Sequence, residues 1–89
     1  MNKPYYQLDQ ETKVIIKELV TTCKKVNLGN INFDYYPSPN TQSANFHVAE
    51  YKEYWELVVS SDNNKRRCRD IYRISEDMQL VYEYSETDI

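Results

Sequence analysis

The apolar residues of this chain change rhythm once, and that change limits the fold more than any other feature. Ile16, Leu19, Val20, Cys23 and Val26 recur at the three- and four-residue spacing of one helix face, with Lys13, Lys17, Thr21, Lys24 and Lys25 mostly on the other side. After residue 29 the spacing drops to two. Ile31, Phe33 and Tyr35 alternate with Asn30, Asn32 and Asp34, and Ala44, Phe46 and Val48 resume the pattern. Cys68, Asp70, Tyr72 and Ile74 alternate with Arg67, Arg69, Ile71 and Arg73, and Met78, Leu80, Tyr82 and Tyr84 alternate with Gln79, Val81, Glu83 and Ser85. A single helix is therefore expected to pack on one face of an antiparallel sheet of about five strands, an α+β fold ending in a three-strand meander.

Local signals set the boundaries. Residues 1–8 read as an extended lead-in and 9–28 as the helix, with Asp9 as N-cap, Glu11 in the first turn, Lys24 and Lys25 in the last, and Gly29 as the left-handed residue beyond its end. Pro37-Ser38-Pro39-Asn40 and Ser61-Asp62-Asn63-Asn64 read as breaks between strands. The stretch 48–59 fits both a helical stripe and an alternating strand; Val58 and Val59 favour a strand from about Tyr54 to Ser60. The sheet is expected over 30–84, and 85–89 as a frayed acidic tail. The whole of 1–89 is read as one domain, because a chain this short has no room for a second core.

The inner face of that sheet is expected to carry Ile31, Phe33, Phe46, Val48, Trp55, Leu57, Ile74, Leu80 and Tyr82. Asp70 falls on the same face, which conflicts with burial unless the carboxylate finds partners. Tyr5, Tyr6, Tyr35 and Tyr36 read as helix-to-sheet packing and strand-edge cover.

Composition removes several kinds of chemistry. The chain has one glycine, one histidine and two cysteines. One glycine excludes a P-loop and a dinucleotide-binding fingerprint, where several glycines let backbone approach phosphate. One histidine and two cysteines exclude a four-ligand Cys/His zinc site, and no cofactor is expected. A nucleophilic triad has to use His47, with Cys68 and Asp70 as partners, and no nucleophile motif surrounds them. Glu53, Glu56, Glu76 and Asp77 read as solvated acids rather than a hydrolytic pair. The expectation is a protein that is not an enzyme. No apolar run reaches membrane-spanning length, and residues 1–6 lack the apolar stretch of a secretory signal, so a cytoplasmic protein with reduced Cys23 and Cys68 is expected. Abundant Asn, Lys and Tyr, all with AT-rich codons, suit a bacterial or phage source.

The charge pattern carries the functional reading. The net charge of −3 conceals five basic residues against Asp70 in 65–73, beside five acids and no base in 74–89. On the outer sheet face Arg67, Arg69 and Arg73 are expected opposite Glu56 and Glu83 as a charge ladder. Val58, Ile71 and Val81 are expected to line up as an exposed apolar stripe with Tyr54 beside them. An apolar patch with a charged rim, bearing tyrosine and arginine, is the anatomy of a protein interface. Tyr54, Val58, Arg67, Arg69, Ile71, Arg73, Val81 and Glu83 are therefore the candidate partner-binding residues of a small inhibitor, immunity or adaptor protein that takes a protein partner or forms a homodimer. The alternative is single-stranded nucleic-acid binding through the arginine-rich segment 65–73.

Overall fold

The computed structural model describes residues 3–35, 44–63 and 65–87. Helix α1 (Gln10–Val26) starts at the expected cap: Asp9 stays extended, and its carboxylate accepts a hydrogen bond from the Thr12 N–H at 2.7 Å. This satisfies one of the donors that a first turn leaves open. Thr12, Ile16, Val20 and Cys23 are the buried residues of the helix. Their row steps by four, four and three, so its next member is Asn27, already the cap, and Val26 is left 57% exposed. The expected stripe is thus one turn too long at its C-terminal end.

The helix stop belongs to Asn27 rather than Gly29. Asn27 takes the left-handed conformation (φ 59°, ψ 44°), and both its N–H and that of Leu28 donate to the Cys23 carbonyl. Asparagine is the non-glycine residue that tolerates this region best, and it comes first in the chain. Gly29 has no positive φ; its carbonyl accepts the Glu50 N–H at 2.8 Å and opens the first strand ladder.

Strands β1 (Asn30–Tyr35), β2 (Ala44–Glu50), β3 (Trp55–Asn63), β4 (Arg66–Ile74) and β5 (Leu80–Thr87) form one open antiparallel sheet in sequence order. The ambiguous stretch is the end of β2, a tight turn in which the Tyr51 N–H meets the Tyr54 carbonyl at 2.8 Å, and the start of β3. The strand wins because it places Val48 opposite Leu57 and Phe46 opposite Val59, all fully buried. The Pro37–Asn40 break, Tyr36, and Asn64 of the second turn lie outside the described residues.

α1 and the sheet enclose the core. Phe46, Val48, Trp55, Leu57, Val59 and Ile74 meet Ile16, Val20 and Cys23, with Ile31, Phe33, Leu80 and Tyr82 packed at the margin. These include every apolar residue expected on the inner face. Tyr6 closes one side, its ring edge-on to Phe46 at 5.8 Å, while Tyr5 is 41% exposed and does not pack between helix and sheet.

Asp70 is fully buried and fully engaged. One carboxylate oxygen accepts the Tyr5 N–H at 2.9 Å and the Ser85 hydroxyl at 2.6 Å; the other accepts the Tyr6 N–H at 2.8 Å. Ser85 is in turn bonded to the Tyr82 hydroxyl at 2.6 Å. These three hydrogen bonds replace the lost water, so the carboxylate straps the lead-in to β4.

Ser85 reaches Asp70 only because β5 is bulged. Tyr72 pairs with Tyr82, but Ile71 pairs with Tyr84, leaving Glu83 as an extra residue. Every position after the bulge changes face. Tyr84, expected inward, is on the outer face and 48% exposed; Ser85, expected outward, turns in. The strand continues to Thr87 opposite Cys68, so residues 85–87 are paired rather than frayed. Asp88 and Ile89 lie outside the described residues.

Candidate interaction face

α1 covers the inner face of the sheet, so the opposite face is built from the alternate residues of each strand. Register orders it into rows. Glu56, Arg73 and Val81 stand side by side, then Val58, Ile71 and Tyr84, then Ser60, Arg69 and Glu86, and at the hairpin end Asp62 faces Arg67.

This corrects the expected apolar stripe in two ways. Val81 stands beside Arg73, not Ile71, and the bulge at Glu83 installs Tyr84 as the third member of the Val58–Ile71 row. Ile71 is also only 5% exposed. It lies at the base of a concavity of about 310 Å³ walled by Tyr54, Arg73, Glu83 and Tyr84. The accessible apolar surface is therefore Val81 and Tyr84, each 48% exposed, with half-buried Val58 beside them.

Among the described residues, the expected charge ladder exists as a single ion-paired rung. Arg73 Nε lies 3.0 Å from Glu83 Oε1, and its guanidinium sits 4.1 Å from the centroid of the Tyr54 ring. Tyr51 stacks on the other side of this group, with ring centroids 5.3 Å apart from Tyr54, and its hydroxyl donates to Glu56 Oε1 at 3.3 Å. The Glu56 charge raises the pKa of the Tyr51 hydroxyl, keeping it a donor. Tyr51, Tyr54, Arg73 and Glu83 thus brace one another. Glu56 faces Arg73 in register yet turns to Tyr51 instead.

Arg67 and Arg69 behave differently. Both are exposed, and among the described residues neither makes an ion pair. They open on a shallow groove of about 580 Å³ shared with His47, Ser60, Asn45 and Asp34. Asn45 closes its far side, donating to Asp34 Oδ1 at 2.9 Å and to the Phe33 carbonyl at 3.3 Å. The arginine-rich segment is thus two groups: Arg73 held by its neighbours, and Arg67 and Arg69 open to solvent.

The residues a nucleophilic site requires are kept apart. His47 is on the outer face, whereas Cys68 and Asp70 face inward, Cys68 only 1% exposed and Asp70 bound to the lead-in. Neither cysteine is in a disulfide and both are buried, and burial raises the pKa of the Cys23 thiol. Among the described residues no cluster of three or more His, Cys, Asp and Glu side chains is placed to hold a metal ion. No helix among them is long and apolar enough to cross a membrane.

Reading the sequence alone missed Tyr51 and Tyr84. Tyr84 was hidden by the bulge, which no glycine marks, and Tyr51 by the turn between two strands. No family model, curated protein or solved structure matches the chain.

Proposed function

We propose that this chain is a non-catalytic protein-binding module whose partner docks on the outer face of the β3–β5 meander. In this reading it is a small inhibitor, immunity or adaptor protein of the cytoplasm, from a bacterium or phage. One observation carries it: α1 covers only the inner face, and the opposite face presents exposed Val81 and Tyr84 beside the braced Tyr54–Arg73–Glu83 group. Aromatic and arginine side chains held in place before contact lose little conformational entropy on binding, which is what anchors at an interface require.

The test compares affinity purification from the source cell with three baits: the wild type, V81E/Y84A, and V14E on the exposed side of α1. A protein held by the wild type and by V14E but lost with V81E/Y84A supports the reading. Retention that ignores V81E/Y84A, or a monomer that holds nothing, removes it.

The openness of Arg67 and Arg69 favours a second reading, binding of single-stranded nucleic acid. That reading requires affinity for an oligonucleotide that falls steeply with salt and disappears in R67A/R69A.

A further inference from the structure

The hairpin end of the outer face has a chemistry that the apolar residues do not explain. Over 62–69 four basic residues, Lys65, Arg66, Arg67 and Arg69, stand against Asp62 alone. Acids are at hand to neutralise them, and Arg73 does take Glu83 at 3.0 Å. Yet Arg69 faces Glu86 in register, and among the described residues no ion pair forms there. Arg67 and Arg69 line a groove of about 580 Å³, room for several side chains of an incoming segment. Two acids share the groove: Asp34 on its far wall accepts the Asn45 amide at 2.9 Å, and Asp62 stands opposite Arg67 in register, whereas Arg69 faces Ser60 across β3 and is the stronger attractive point.

We infer that the partner supplies an acidic segment whose carboxylates seat on Arg67 and Arg69. The inference rests on the protein-binding reading and names the chemistry of the partner. The planar guanidinium matches a carboxylate with two parallel hydrogen bonds, which a lysine at the same position does not reproduce. A strand advances about 3.3 Å per residue, so Arg69 and Ile71 are separated by roughly 7 Å along β4. An extended segment lying along β4 therefore carries its acid about two residues from the apolar side chain that packs beside Tyr84 and the Ile71 concavity. A nucleic-acid strand fits this face less well. Single strands are held by bases stacked on aromatic rings, and among the described residues no Phe, Tyr or Trp lines the Arg67–Arg69 groove.

Fluorescence anisotropy with a labelled deca-glutamate peptide at low ionic strength tests this in the intact chain, with labelled decathymidylate as the competing probe. The expected result is saturable binding of deca-glutamate, weakened at least about tenfold in R67A/R69A and less than about twofold in K24A, which removes an exposed cation of α1, with R67K/R69K between. Both arginines are exposed, and an unchanged circular-dichroism melt establishes that R67A/R69A is folded. If that variant melts early, R67Q and R69Q singly provide the same comparison. No binding by the wild type, equal binding by R67A/R69A, or tighter binding of decathymidylate overturns the inference. Loss of the acidic-peptide result while V81E/Y84A still releases a cellular partner removes only this inference. The converse pair of results removes the meander-docking reading instead.

Discussion

Replacing Asp70 with alanine is expected to destabilise the protein by about 3–5 kcal/mol, and most of that loss should disappear when the lead-in is removed. The carboxylate accepts two main-chain N–H groups and one hydroxyl in a fully buried setting. Hydrogen bonds to a charged group contribute about 1.5–3 kcal/mol each. After the substitution the chain has two courses. If the lead-in stays in place, the Tyr5 and Tyr6 donors lose their acceptor, at roughly 1–3 kcal/mol each. If it swings into water, Tyr6 and Leu8, now 7% and 9% exposed, lose their burial. That loss is worth about 1.5–3 kcal/mol for a large apolar side chain. Relief of the desolvation of Asp70 itself offsets part of either loss, which leaves about 3–5 kcal/mol. Removing residues 1–6 strips the carboxylate of both main-chain donors and leaves Ser85 beside it, with water free to take the donors' place. In that background D70A releases no strap and should cost less than about 1 kcal/mol. Urea unfolding of the four proteins gives the double-mutant cycle directly. A loss below about 1 kcal/mol in the full chain, or the same loss in both backgrounds, refutes the strap.

Three further outcomes follow from the same geometry. Gly29→Ala should stabilise the protein by about 0.4–1 kcal/mol in thermal unfolding, because φ is not positive, nothing lies within 4 Å of an added Cβ, and alanine reduces the freedom of the unfolded chain. Burial, reinforced by the charges of Asp70 and Tyr82, pushes the Tyr72 hydroxyl up to about 12. Tyr72 should ionise well above the ordinary tyrosine range in an ultraviolet titration, and its contribution to stability, complete below the unfolded value of about 10, should be lost as pH rises through the folded one. Hydrogen bonding from Thr12, side chain first and main chain second, holds the Asp9 carboxyl below its ordinary value. The melting difference between wild type and Asp9→Ala should therefore be full above about pH 4 and shrink as pH falls through the lowered value, read by circular dichroism.

The candidate face was legible in part. Alternation in β3 and β4 places Val58, Arg67, Arg69, Ile71 and Arg73 on one side, where they are found, because each residue there has one partner across the ladder. The Arg73–Glu83 rung was legible because both side chains are expected on the outer face, and at the bulge they still meet. Beyond the bulge counting by twos fails, since Glu83 has no partner of its own. The burial of Ile71 was also hidden, because it depends on Tyr54, Arg73, Glu83 and Tyr84 converging from a turn and two strands.

What the amino-acid sequence determined by itself is the helix, the five strands and the side of the sheet that the helix covers. Those follow from the spacing of apolar residues along short stretches, and spacing is a local property. The structure decided three things. Asn27 stops the helix although Gly29 is equally eligible, because whichever residue first permits a left-handed turn ends the ladder. Asp70 is tolerated in the core because N–H groups 64 and 65 residues away arrive to bind it. Tyr84 rather than Val81 completes the outer apolar row, because one unpaired residue in β5 turns the rest of that strand over. The first is a local choice between two residues that both permit the turn; the other two are set by contacts between distant segments, and such contacts exist only once the chain has folded.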